Sequence, residues 1–336
     1  MTYLQSEFAF IERIQHDCIR FPQGVIKGIG DDCAIFDLPQ SEHILVTTDM
    51  LVEQIDFLRS LTSGFKLGYK SLMVNLSDIA AMGGTPRHCF VSIAIPKTCS
   101  DTYLDDVYQG IKHAAFQYGV NILGGDTSSA SHDIVINITV VGTIQKNKLL
   151  TRDAAQLNDM ICVTGCLGDS SAGLFLLLNT IHPRNNELKA LIDAHQCPNA
   201  HIKQGQFLAN SGWVHAAIDI SDGFCADLGH ILTSSHVGAL IYEKDIPISD
   251  HLQWFAKEFQ RSLYDFALSG GEDYVLICTV SPEHSDELCT QYQSEFQQPL
   301  YVVGKITDSQ ELHLIDKNGF SKPMSLKGWD HFKTTD

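Results

Sequence analysis

The chain has 336 residues, 44% of them hydrophobic and 19% charged, enough apolar material for two domains, since single cores rarely grow past roughly 250–300 residues. Its 40 Asp and Glu against 23 Lys and Arg leave a formal net charge of -17, which disfavours nucleic acid or an anionic membrane as a partner. There is no apolar run of about 18 residues, no basic segment followed by an apolar one at the start, and no second pair or flanking His to complete a zinc site at Cys162 and Cys166. The expectation is a reduced, cytoplasmic protein.

Helical and strand patterns alternate along the whole length, so the fold class is α/β or α+β with mixed sheets. Phe8, Ile11 and Ile14 place an apolar stripe on a first helix over 6–18. A strand is expected at 43–49 and a long helix at 63–82, stopped by Gly83 and Gly84. The strand HCFVSIAI runs up to Pro96, and Ser100 or Asp101 starts a helix reaching about Tyr118. Strands at 121–123 and 133–144 complete the first half. The second of these and the strand at 43–49 carry apolar residues on both faces, which suits burial on both sides. The polar stretch 145–159 breaks the pattern and marks the boundary between domains 1–148 and 149–336. The second half opens with strand MICVTG and the loop GCLGDSSAG, leading into helix LFLLL. Strand AAIDI, a helix from Phe224, strands GALIY and DYVLICTV, a helix in the 280s and strand YVVGKI follow.

Acidic residues stand at element ends, mostly beside glycine: GIGDD (Asp31, Asp32), TTD (Thr47, Thr48, Asp49), NLSD (Asn75, Asp78), GGD (Asp126), DISDG (Asp219, Ser221, Asp222) and GGED (Glu272, Asp273). Taken singly, each reads as a turn or a cap, because Asp and Gly are favoured there for local reasons. The set suggests more. TTD and AAIDI follow apolar β runs, so their acids are expected at strand ends, where open α/β sheets place ligands. Asp78 lies inside the long helix, where Asp is a mediocre former, and Asn75 is one turn earlier on the same face. Converging carboxylates repel one another unless a cation joins them. Mg²⁺ takes oxygen ligands and is completed by substrate phosphates, so several such ions would let an acidic protein hold a polyphosphate. Calcium bound in a loop is the plainer metal reading, and no EF-hand spacing supports it.

GCLGDSSAG (165–173) offers backbone N–H groups and a helix N-terminus to phosphate, although a glycine loop before a helix is common. The P-loop pattern, the protein-kinase signatures, GxSxG and HExxH are all absent. His215, in WVHAAIDI, reads as a satisfied strand residue rather than a base.

GIGDDCA, TTDMLVE, NLSDIAAMGGTP, GGDT, LTR, VTGCLGDSSAGL, IDISDGF with DLGH, SGGEDY and GWDHF occur in order from about residue 28 to 332. Together they resemble the thiamine-monophosphate kinase family of the aminoimidazole ribonucleotide synthetase-like superfamily. The resemblance implies that fold: two α/β domains, with 1–148 binding ATP and Mg²⁺ and forming a homodimer through its sheet. Domain 149–336 would complete the phosphate and substrate site. It implies a magnesium set of Asp32, Thr47, Thr48, Asp49, Asp78, Asp126, Asp219 and Asp222. ATP contacts would fall at Tyr108, Gly125, Asp126, Arg152 and Ser221. Substrate contacts would fall at Glu272 and Trp329, the indole being suited to stacking on a flat heteroaromatic ring. Where the family usually has a His that resembles a substrate contact, this chain has Asp56. An Asp there either turns to solvent or to a cation such as Arg59, or it binds a metal or a polar group of the substrate.

The activity implied is in-line transfer of the ATP γ-phosphoryl group to thiamine monophosphate, giving thiamine diphosphate and ADP. A phosphate with a second pKa near ~6 is mostly ionised at neutral pH, so no general base is required. Asp49, Asp78, Asp126, Arg152 and Asp222 are the catalytic candidates, acting by alignment and charge neutralisation. The rival readings are another ATP-dependent member of the superfamily, a non-catalytic nucleotide-binding protein and a metal-dependent phosphatase.

Overall fold

Residues 13–27, 29, 35–37 and 39–325 are described in the computed structural model. Most of the expected first helix over 6–18, together with Asp31, Asp32 and the GWDHF motif with Trp329, lies outside the described residues. Two units divide the chain: Met1–Ile79 with Gly84–Asn147, and Ala80–Gly83 with Lys148–Asp336.

In the first unit a small hairpin pairs β1 (Val25–Lys27) with β2 (Ile35–Phe36). The main sheet has the order β3–β6–β4–β5, built from β3 (Glu42–Val52), β4 (Thr85–Pro96), β5 (Asn121–Ala130) and β6 (Val135–Gln145). β6 is antiparallel to both β3 and β4. β4 and β5 are parallel, which requires a crossover, and α2 (Asp101–Tyr118) supplies it. Its N-cap is Ser100, whose hydroxyl accepts the Tyr103 N–H at 3.3 Å. α1 (Gly64–Ala81) connects β3 to β4. Leu72, Leu76 and Ile79 of α1, Leu104 and Ile111 of α2, and Ile136, Ile138 and Val140 of β6 are buried. Each such side chain stabilises by roughly 1.5–3 kcal/mol.

Because side chains alternate along a strand, β3 has two faces of different character. Leu45, Thr47, Asp49 and Leu51 share the face opposite Ile136, Ile138 and Val140. Ile44, Val46, Thr48 and Met50 take the other, and its three apolar side chains are 58%, 65% and 57% exposed.

The second unit holds a seven-stranded sheet in the order β13–β12–β9–β11–β7–β10–β8. Its strands are β7 (Met160–Val163), β8 (Val214–Asp219), β9 (Gly238–Tyr242), β10 (Leu276–Val280), β11 (Tyr301–Thr307), β12 (Leu312–Ile315) and β13 (Ser321–Pro323). All neighbours are antiparallel except β9 and β12. α6 (Phe224–Ser235) packs Phe224, Leu228 and Ile231 into one core with Ile218, Ile277, Val303 and Ile306. A second core joins α3 (Asp169–Leu178), α4 (Asn186–Gln196) and α7 (Asp250–Phe259) through Ala172, Leu176, Leu188, Leu191, Leu252 and Phe255. α5 (Ile202–Ser211), α8 (Leu263–Ser269) and α9 (Ser285–Phe296) complete the helices described.

The mixed α/β class agrees with the sequence. Three local expectations need correction. β3 continues past Asp49 to Val52, so TTD lies within the strand rather than at its end. The strand expected to stop at Leu123 runs on through GGDTSSA to Ala130, because those residues pair with β4. α3 starts at Asp169, so GCLGDSSAG is half helix. Asp219 does end its strand, as expected.

Candidate functional site

In the first unit, helix and strand meet through polar side chains. The Thr47 hydroxyl donates to Asp78 Oδ2. One turn earlier on α1, Asn75 Oδ1 accepts the Asp49 backbone N–H at 3.1 Å, and its Nδ2 donates to the Ser71 carbonyl at 3.1 Å. Asn75 is fully buried and locked, whereas Thr47, Asp49 and Asp78 are half-buried. The 3.6-residue helix period puts Asn75 and Asp78 on one face, and the two-residue strand period puts Thr47 and Asp49 opposite them. Thr48 faces the other way. Its Oγ1 accepts from Thr139 Oγ1 and from Asn137 Nδ2, both at 3.1 Å.

Asp126 is exposed and lies opposite Ser92 in the β4–β5 register. Beside it, Gly125 has φ +151°, and a Cβ there would come 1.8 Å from the Val91 carbonyl oxygen. Only glycine lets β5 pass so close. Tyr108 is 4% exposed, so its ring lies in the core of this unit and offers a ligand little surface. Its hydroxyl is raised well above the usual tyrosine range by burial.

Asp56 has a structural partner: its Oδ2 accepts the Val52 N–H at 2.7 Å, closing the turn after β3. Arg59, the cation considered for it, instead pairs with Glu53 at 3.0 Å. Glu53 is 4% exposed and also accepts the Ile134 N–H at 3.0 Å.

In the second unit the backbone brings two motifs side by side. Beyond the β8–β10 ladder, Ile220 N–H donates to the Val275 carbonyl, Tyr274 N–H to the Ile220 carbonyl and Glu272 N–H to the Ser221 carbonyl, at 2.9, 2.9 and 2.8 Å. DISDG and GGED therefore run as neighbours. A Cβ on Gly271 would lie 2.4 Å from the Ser221 carbonyl oxygen, so this approach needs glycine. Asp219 is 3% exposed at the end of β8, while Ser221 and Asp222 are half-buried on the loop beyond it. Asp227, in the first turn of α6, accepts the N–H groups of Asp222 and Gly223, both at 3.0 Å. Burial pushes Asp227 up to about 7, and the charges of Asp219 and Asp222 add to the rise against those two hydrogen bonds. Asp222, Asp227 and His230 bring one ligand atom each within 4.8 Å of one another, a spacing that suits a cation.

Arg152 is exposed and, among the described residues, forms no ion pair. Thr151 beside it bridges Ala216 in parallel register, and the Arg152 carbonyl accepts the Ser235 hydroxyl at 2.9 Å. Glu272 has φ +65°, uncommon outside glycine, and its Oε2 lies 3.1 Å from His195 Nδ1.

The next residue revises the phosphate expectation for GCLGDSSAG. Asp273 accepts the Gly168 N–H at 2.7 Å and the Ser170 N–H at 3.3 Å, so the α3 N-terminus already holds a carboxyl group of its own chain. Burial of that carboxyl pushes it up to about 8, against the two hydrogen bonds. His215 is satisfied, as expected, by Asp159 at 2.9 Å.

Two sets among the described candidates come together. Thr47, Asp49 and Asp78 meet in the first unit, with Thr48 turned away from them. Asp219, Ser221, Asp222 and Glu272 meet in the second. Sequence reasoning missed Asp227 and His195. DLGH carried a signal for the first, an acid one turn into a helix behind two others. Nothing local signalled His195, which belongs to an unforeseen helix.

Profiles described as AIR synthase related protein, N-terminal domain, and AIR synthase related protein, C-terminal domain, match residues 30–144 and 157–317. The chain is 36% identical over 335 residues to a thiamine-monophosphate kinase of Haemophilus influenzae, covering 98% of each. It superimposes on the crystal structure of a thiamine-monophosphate kinase from Stenotrophomonas maltophilia with a TM-score of 0.83 and 32% identity, over 92% of this chain and 96% of that one. A solved complex of AaThiL with AMPPCP and TMP matches with a TM-score of 0.79 and 31% identity over 99% of both chains.

Proposed function

The chain belongs to the thiamine-monophosphate kinase family, and from that premise we propose that it transfers the γ-phosphoryl group of ATP to thiamine monophosphate. The observation that carries this reading is Asp78, a helix-interior acid held against Thr47 beside Asp49.

The donors suit Mg²⁺. They are carboxylates and hydroxyls, the hard oxygens that ion prefers, and no sulfur joins them. Asp49 and Asp78, with Thr47, would hold ions on one face of the first sheet, Asp126 would do so from the face it shares with Thr48, and Asp219 and Asp222 in the second unit; Asp32 joins them by resemblance. Bound there, the ions would neutralise phosphate charge and order the polyphosphate. The protein's own groups do the rest. Arg152 offers an exposed guanidinium to phosphate oxygens, a bidentate donor that forms no ion pair among the described residues. Ser221 and Gly125 give nucleotide contacts, and Glu272 contacts the acceptor, with Trp329 assigned to its ring by resemblance. The acceptor phosphate is already a nucleophile at neutral pH, so no side chain need remove a proton.

The exposed Ile44, Val46 and Met50 extend the proposal to a homodimer joined through this face of the first sheet. The proposed compartment is the cytoplasm; among the described residues no helix is long and apolar enough to cross a membrane.

The test is to mix the protein with Mg²⁺, ATP and thiamine monophosphate. Thiamine diphosphate and ADP should form in equal amounts, chelation of divalent ions should stop the reaction, and labelled ATP alone should leave the protein unlabelled. Phosphate release without ATP would sink the reading in favour of a phosphatase, and ATP binding without turnover would favour a nucleotide sensor. Light scattering that reports a monomer at micromolar concentration would remove the dimer.

A further inference from the structure

We propose that His195 is a positioning residue for Glu272, fixing its carboxylate so that the acceptor meets a preset group; the inference rests on the reading of Glu272 as a substrate contact. Glu272 is held at three points. Its backbone takes the left-handed conformation at φ +65°, its N–H donates to the Ser221 carbonyl at 2.8 Å, and its Oε2 lies 3.1 Å from His195 Nδ1. A glutamate side chain has three rotatable bonds, and ordering it on binding costs affinity unless the protein has ordered it already.

His195 is itself fixed. It stands in the last turn of α4 and is 7% exposed. The Ser170 hydroxyl lies 3.2 Å from the same Nδ1. Ser170 in turn sits in the first turn of α3, where its N–H is held by Asp273, the residue after Glu272. α3 and α4 share an apolar core through Leu176, Leu188 and Leu191. The chain of contacts closes on itself: GGED fixes α3, α3 and α4 fix His195, and His195 fixes Glu272. With its proton on Nδ1 the ring donates to the Glu272 carboxylate, which can only accept.

Steady-state kinetics of the whole chain with Mg²⁺ test this. His195→Leu should raise KM for thiamine monophosphate about tenfold, equivalent to ~1.4 kcal/mol, with KM for ATP within twofold of wild type. His195→Asn places an amide N–H near the Nδ1 position and should restore most of the loss. Ser170→Ala should move the same KM in the same direction by a smaller factor, and it covers the case in which His195→Leu does not fold. An unchanged KM for thiamine monophosphate in an active His195→Leu enzyme overturns the inference. So does an equal rise for both substrates, or a fall in thermal stability with no rescue by Asn, since each marks a purely structural histidine. Failure of the wild-type protein to phosphorylate thiamine monophosphate is a different result and defeats the functional reading instead.

Discussion

The two units present their acids by different means. In the first, Thr47, Asp49 and Asp78 stand on regular elements, so a strand register and a helix turn set their directions. In the second, Ser221, Asp222 and Glu272 stand on loops past the ends of β8 and before β10, and backbone hydrogen bonds between the loops set their places. Substitution in the first should therefore remove a donor and leave the scaffold intact. In the second, the residues that carry the chemistry also carry the backbone bonds that place the loops.

The largest effect expected is for Asp78→Asn. Loss of one charged donor from a preorganised polyphosphate site should lower kcat by about 10²–10³-fold or more, with an unchanged far-UV circular dichroism spectrum. Activity within a few-fold of wild type would take Asp78 out of the proposed magnesium set. A sharper contrast sits on adjacent residues. Thr47→Val removes the hydroxyl that donates to Asp78 and should cost about tenfold in kcat/KM, on the order of 1.4 kcal/mol. Thr48→Val alters the opposite face, away from Asp78, and should cost less than Thr47→Val. Equal effects at the two positions would mean that the strand register does not select the donors.

The second unit is better probed by pH. The Asp273 carboxyl is pushed up from 3.8 to about 8. Below about 4 it is protonated in folded and unfolded chains alike, and its contribution is complete. As pH rises the unfolded chain releases the proton first, so stability falls with pH until about 8 and then levels. Asp273→Asn, with a side chain that cannot ionise, should give a shallower decline of Tm between pH 5 and 8. A slope equal to wild type would show that Asp273 does not govern that window. The smallest effect is expected at Asp56. Asp56→Ala leaves the Val52 N–H without its partner and should cost about 1 kcal/mol of stability, with KM for thiamine monophosphate within twofold. A tenfold rise in that KM would instead make Asp56 a substrate contact.

The same difference between units decides what the sequence discloses. NLSD inside a helix was legible because two periods, 3.6 and 2, turn spacing into direction. The mixed sheets followed from alternating helix and strand patterns in the same way. The ends of β3 and β5 were not legible. GGDTSSA looks like a turn by composition and becomes strand only because β4 lies beside it, a tertiary effect that overrides local preference. GCLGDSSAG misled for a related reason. A helix N-terminus attracts an anion or another acceptor, and no local pattern says that the acceptor is Asp273, some hundred residues further on. His195 was hidden because its importance lies only in its neighbour.

Glu272 and Asp273 are consecutive, yet one reaches His195 and the other turns back to the start of α3. Two adjacent side chains can serve opposite directions only while the count of residues from β10 back to Ser221 stays fixed. This segment should therefore accept many changes of residue type more readily than any change of length. Deleting or inserting a residue between Glu272 and Leu276 would shift the segment by one place, aiming a carboxylate meant for the interior at the exterior. Natural variation here should consist of substitutions, with insertions and deletions displaced to the surface turns elsewhere in the unit.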